Sequence, residues 1–150
     1  MLKDDQGKLL ELLEQLELDV SNIYKLFAKK FPRLQSFWRN MSDEEAKHSD
    51  YVRKIHTYAL EGNVNFNEKM TNPMAIKSVI ENIATIHEKT ENNQYSIINA
   101  LAFSLSMEQS VIEHKFYSFF NSDNPEIMKM LKAIQGETII HESKVKKALE

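Results

Sequence analysis

Six polar residues occupy positions where apolar periodicity calls for core. Glu17 falls in the run Leu10, Leu13, Val20, Tyr24, Phe27, Phe31, and Glu45 with His48 falls in Trp38, Met41, Val52, Ile55, Ala59. Glu108 interrupts Ile98, Leu101, Leu105, Ile112, Phe119. Thr138 and His141 interrupt Ile127, Leu131, Ile134, Val145, Ala148. Each run steps by three and four, the spacing of one helix face. An ionised carboxylate on such a face is costly unless it is paired or holds a metal. A single case reads as a solvated glutamate slightly rotated from the core, so the argument rests on whether the six converge.

Their heights say that they do. Glu17 stands 15 residues before Pro32, and Glu45 and His48 stand 13 and 16 after it. At about 1.5 Å per residue, all three lie roughly 20–24 Å from that turn if the flanking helices are antiparallel. The second half repeats the arrangement around Asp123, with Glu108 15 residues before and Thr138 and His141 15 and 18 after. Two hairpins, each with a glutamate on one helix and an i, i+3 pair on the next, form a weak internal duplication. Carboxylates with two neutral imidazoles and no soft ligand suit iron, with manganese or another divalent ion as alternatives. Glutamate and histidine three apart project from one helix face into one small volume, so a single turn can supply two ligands.

The elements that must carry these residues are helices. Three glycines in 150 residues is about 2%, against a usual ~7%, and tight β-turns need glycine. Leu, Glu, Lys, Met and Ala are common, and these are helix formers. The periodicity predicts helices over about 8–30, 38–59, 74–89, 95–120 and 126–149. Phe31-Pro32 breaks the first from the second, and Gly62 supplies a left-handed stop. Asn121 to Pro125 forms a turn and N-cap cluster. The fold expected is all-α, a four-helix bundle in one domain spanning 1–150. About thirty residues between the second and third long helices leave room for a long crossover carrying the short helix.

Several positions allow plainer readings. Ser42-x-x-Glu45 matches a capping box, which would put Glu45 at a helix start. Tyr24 reads as core packing, with a hydrogen bond to a ligand as the alternative. His56, His87 and His114 fall off the central layer and are expected at or near the surface, and Glu113 faces solvent. His87-x-x-x-Glu91 lacks the His-x-x-x-His partners that a hemerythrin-type site needs, so that reading is rejected.

The chain resembles the ferritin-like superfamily, in its rubrerythrin-like branch. The resemblance is carried by Glu17 with Tyr24 seven on, Phe31-Pro32, Phe37-Trp38 and Glu44-Glu45-Ala46-Lys47-His48. The segment from Ala102 to Glu113 with Glu108, and then His141, continue it. It covers nearly the whole chain. It implies a ferritin-like bundle with parallel second and third helices and a non-haem iron site of one or two ions. Glu17 and Glu108 would be terminal ligands, Glu45 a bridge, and His48 and His141 imidazole caps. It further implies oxidoreductase work such as peroxide or oxygen reduction coupled to ferrous oxidation, and no catalytic residue beyond the ligands is identified.

Two departures from the family pattern bear on that function. A glutamate is expected three residues before His141, where Thr138 stands. Glu137 is adjacent, reaches His141 at i, i+4 and is a candidate substitute, although rotated about 100° from the core position. The chain also has no cysteine, so it lacks the thiolate-bound iron module of rubrerythrins and would take electrons from an external donor. The alternative reading is a metal-free bundle that serves in dimerisation or partner binding, with the same residues in a buried hydrogen-bonded network.

Charge and composition exclude other classes. Nineteen basic against 22 acidic residues, interspersed, give −3 and no basic stripe for nucleic acid. No apolar run approaches the length of a membrane span, and the charged start lacks a secretory h-region. A cytoplasmic homodimer is the expectation.

Overall fold

A computed structural model of the protein describes residues 2–66, 73–110 and 120–150. Helix α1 (Asp4–Lys30) carries Asp4 and Asp5 in its first turn and Lys29 and Lys30 in its last, complementing the helix dipole at both ends. It stops at Phe31, and a single 3-10 turn, Pro32–Leu34, leads into α2 (Gln35–Leu60). The α2 C-terminus is closed by Gly62 at φ 81°. There the Asn63 N–H donates to Tyr58 O and the Gly62 N–H to Ala59 O, both at 3.0 Å, a Schellman closure.

Helix α3 (Pro73–Glu91) ends in the same way at Asn93, φ 59°. Gln94 N–H there donates to Lys89 O at 2.8 Å, and asparagine is the residue after glycine best suited to that conformation. Helix α4 (Ile97–Glu108) is capped by Ser96, whose Oγ accepts from Asn99 N–H, and α5 (Pro125–Leu149) by Asn124, with Pro125 in its first turn. The described residues are 84% helical with little sheet, as an all-α fold requires. No described helix is long and apolar enough to cross a membrane.

Paired side chains give the helix directions. Ser21 and Ser42 exchange hydroxyl-to-carbonyl bonds at 2.8 Å, and Ser49 Oγ donates to Glu14 O, so α1 and α2 are antiparallel. Phe27 meets Tyr95 and Phe103, while Tyr24 reaches Glu108. Helix α4 therefore runs against α1 and in the direction of α2. Tyr58 bonds Glu126, His48 bonds Glu137 and His141 bonds Glu44, which sets α5 antiparallel to α2. Helix α3 lies against α1 and follows its direction, with the Lys30 ammonium donating to Glu91 O and Asn93 Oδ1.

The core is one cluster. At its lower end Tyr24, Phe27 and Trp38 are fully buried and in mutual ring contact. Every expected apolar core position on α2 is buried, as are those of α1 up to Phe27 and of α5 up to Val145.

Three features differ from the sequence reading. The third long helix does not continue to Phe120. It ends at Glu108, where Gln109 N–H still bonds Leu105 O but Ser110 N–H bonds Met107 O, a tightened last turn. Ile112, Glu113, His114 and Phe119 lie outside the described residues. Ile98 is 60% exposed and the buried face of α4 is Ala100, Leu101, Ser104, Met107 and Glu108. The segment is apolar almost all round, so periodicity does not set its phase.

Phe120 instead belongs to a two-residue strand, β2 (Phe120–Asn121), antiparallel to β1 (Asn65–Phe66), with Phe66 opposite Phe120. The two rings meet edge to face at 5.4 Å. Ser122 Oγ donates to Asn63 O at 2.5 Å, tying the exit of α2 to the entry of α5.

Candidate metal centre

Glu17, Glu45, His48, Glu108 and His141 come together from four helices, and all five are completely buried. They fall into two triads, Glu17 with Glu45 and His48, and Glu45 with Glu108 and His141. Within each triad the ligand atoms lie within 4.8 Å of one another. Glu45 belongs to both. Its Oε1 is 3.1 Å from His141 Nδ1 and its Oε2 is 3.4 Å from His48 Nδ1. Glu17 Oε2 lies 3.8 Å from His48 Nδ1, and Glu108 Oε1 lies 3.5 Å from His141 Nδ1. The two imidazoles stand 6.1 Å apart, tilted by 28°.

Local sequence explains the convergence. Ser21 and Ser42, small and mutually bonded, let α1 and α2 approach closely just beside the layer. Ser42 sits well inside α2 with its hydroxyl on Ser21, so the capping-box reading of Ser42 and Glu45 does not hold. Tyr24 does both things expected of it. It is packed in the core, and its phenol donates to Glu108 Oε1 at 2.9 Å.

Each histidine turns Nδ1 inward and Nε2 outward. His48 Nε2–H donates to Glu137 Oε2 at 2.5 Å, and His141 Nε2–H donates to Glu44 Oε2 at 2.5 Å. A histidine ligand is commonly held this way, with its second nitrogen on a carboxylate that fixes ring orientation and raises basicity. Glu137 therefore does not take the place that Thr138 leaves vacant, nor does it bond His141. It reaches across to His48 on the opposite helix, because its rotation off the core face points it toward α2.

Glu44 was not among the sequence candidates as a site residue, although it belongs to the Glu44-Glu45 pair. Its signal is the repeat of an acidic residue four before each histidine. Thr138 is buried, and its hydroxyl donates to Ile134 O at 2.8 Å within its own helix. His56 and His87 lie off the layer, and His87 pairs with Glu91 at 3.0 Å on the surface.

Burial and close contact make these carboxyls and imidazoles shift one another strongly. Burial, with the Glu45 charge beside it, raises the Glu17 carboxyl well above the usual range. The same two causes push Glu108 up to about 7. Glu45 is also buried, but its contacts with Glu17, His48 and His141 overcome that and hold it well below the usual range. Burial opposes charge on His141, yet the Glu108 and Glu45 carboxylates lift it to about 10. His48 is raised in the same manner by Glu45, Glu137 and Glu17.

Among the described residues, five buried side-chain atoms of this cluster lack a hydrogen bond of normal geometry, namely both oxygens of Glu17, Oε2 of Glu45, Oε2 of Glu108 and Nδ1 of His48. Buried polar atoms are nearly always paired. These five face one another, with His48 Nδ1 at 3.8 Å from Glu17 Oε2 and 3.4 Å from Glu45 Oε2, and a cation that displaced their protons could draw them together. The donor set, oxygen-rich with imidazole, could hold iron, manganese or another divalent ion. Comparison with protein-family models, with curated proteins and with solved structures finds no match to this chain.

Proposed function

We propose that this protein is a ferritin-like metalloprotein holding two iron ions in the layer where α1, α2, α4 and α5 meet. One observation carries the reading: Glu45 is shared by two buried triads, each with its own terminal carboxylate and its own inward imidazole nitrogen. The helix directions agree with it, since parallel α2 and α4 joined by a crossover through α3 are what a ferritin-like fold uses. In this reading Glu17 and Glu108 would be terminal ligands and Glu45 the shared one. His48 and His141 would hold one ion each, oriented by Glu137 and Glu44.

Two adjacent iron ions, if bound, would supply two electrons to an oxidant such as peroxide or oxygen. The chain's part is to keep that chemistry dry and in place. Tyr24, donating to Glu108 Oε1, fixes one terminal carboxylate. Both imidazoles are fixed from the opposite helix. With no cysteine in the chain, reducing equivalents would arrive from a separate donor.

A metal-free interaction module would hold the same groups as a buried ion-pair network, and ion content decides between the two. Metal analysis of protein produced with added iron or manganese tests the proposal. The expected result is up to two ions per chain, lost in the double variant Glu45→Ala, His48→Ala. Stripping with a chelator should lower the melting temperature, because ion-binding free energy adds to folding free energy. Protein that retains no ion and melts unchanged with chelator would overturn the reading.

A further inference from the structure

Aligned on their histidines, the two halves of the site read Glu44-Glu45-x-x-His48 and Glu137-Thr138-x-x-His141. The structure makes this repeat reciprocal. Glu44 of the first half holds His141 of the second, and Glu137 of the second holds His48 of the first, each at 2.5 Å on Nε2. Thr138 therefore occupies on α5 the place that Glu45 occupies on α2. Glu45 spreads its two oxygens between the two histidines. Thr138 offers nothing comparable, because its hydroxyl is spent on Ile134 O. The centre has a bridging carboxylate on one side only.

Building on the dinuclear reading above, we propose that a small carboxylate anion from solution, of the size of formate or acetate, binds beside Thr138 and completes the centre. Donor number is the first argument. Two octahedral ions take about twelve donor atoms, and three carboxylates with two imidazoles offer six oxygens and two nitrogens. Charge is the second. Three inner carboxylates leave one of the four positive charges of two divalent ions uncompensated in a buried layer, and an uncompensated buried charge is costly.

The outer carboxylates do not supply the difference. Glu44 has Lys144 at 4.0 Å, and both outer carboxylates are already engaged by an imidazole Nε2–H. Shape is the third argument. Threonine is shorter than glutamate by roughly one carboxylate group, so the residue that would restore the symmetry differs from the one present by what the anion brings.

Calorimetric titration of the ion-free protein with manganese(II), in chloride and in formate at equal ionic strength, tests this. The first ion should bind alike in both salts, and the second should bind about tenfold or more tightly in formate. Thr138→Glu should take two ions tightly in either salt. A second-ion affinity indifferent to formate, or raised equally by formate in Thr138→Glu, overturns the inference.

The paramagnetic-resonance signal of coupled manganese ions in the unsubstituted protein gives the same answer without the variant. Its growth with formate supports the anion, and its indifference excludes it. The two levels of the argument fail separately. Binding of no ion in either salt removes the metal reading and this inference with it, whereas two ions that ignore formate remove this inference alone.

Discussion

Glu137 on α5 holds His48 on α2 through a 2.5 Å hydrogen bond to Nε2, and the ring it orients turns Nδ1 toward Glu17 and Glu45, at 3.8 and 3.4 Å. Carboxylates in this position typically contribute 10–100-fold to metal affinity. Glu137→Gln should therefore weaken ion binding by roughly that factor without changing the number of ions bound. Glu44→Gln should do the same through His141. Calorimetric titration with manganese(II) reads both, and affinities within about twofold of the unsubstituted protein would mean that these contacts do not orient the rings.

The sharing of Glu45 makes the three inner carboxylates unequal. Glu17→Ala and Glu108→Ala each remove one donor from one triad, so each variant should retain one ion. Glu45→Ala removes a donor from both triads and should retain none. Elemental analysis after gel filtration distinguishes these outcomes. One ion retained in Glu45→Ala would show that the triads are independent.

The ion-free protein should lose stability as pH rises. Glu108 is raised from 4.5 to about 7, so its contribution is complete below about pH 4.5 and is lost as pH climbs through 7. His141 is raised from 6.5 to about 10, so its contribution is complete below about pH 6.5 and is lost toward 10. Glu45 and Glu137, both held low, act in the opposite sense only as pH falls through and below the carboxylate range. Ions displace the same protons, so metal affinity should increase across the window in which ion-free stability falls. Thermal melts from pH 5 to 9 with and without manganese(II) check the sign. An ion-free melting temperature that climbs with pH would contradict it.

Tyr24→Phe removes the phenol from Glu108 Oε1 and leaves the ring contacts with Phe27 and Trp38 in place. The expected cost in the ion-free protein is about 1 kcal/mol, a fall of about 2–4 °C in melting temperature. Ion binding at the Glu108 triad should weaken while the Glu17 triad is spared. Equal weakening of both ions would place the effect in the packing of the layer instead.

Much of the site was legible because residue count along a helix is a length. The distances of Glu17 from Pro32 and of Glu45 and His48 from the same turn put three residues at one height, and the buried layer contains them with Glu108 and His141. Glu44 and Glu137 were not legible in their actual role. They lie about 100° off the apolar stripe, and at 27% and 28% exposure they reach their partners by side-chain length, which periodicity does not encode. The phase of α4 was illegible for a different reason. Ile97, Ile98, Ala100, Leu101, Ala102 and Phe103 offer apolar groups in nearly every direction, so packing against α1 and α5 selects the face. The β1–β2 pair is two residues long on each side, too short to leave a pattern.

The serine-lined hairpin of α1 and α2 contains Glu17, Glu45 and His48, a whole triad. The hairpin of α4 and α5 contributes only Glu108 and His141 and borrows its third donor. The two halves of the chain are therefore alike in pattern but unequal in autonomy. A chain cut after α2 would still carry one triad entire, and a chain starting at α3 would carry neither triad complete.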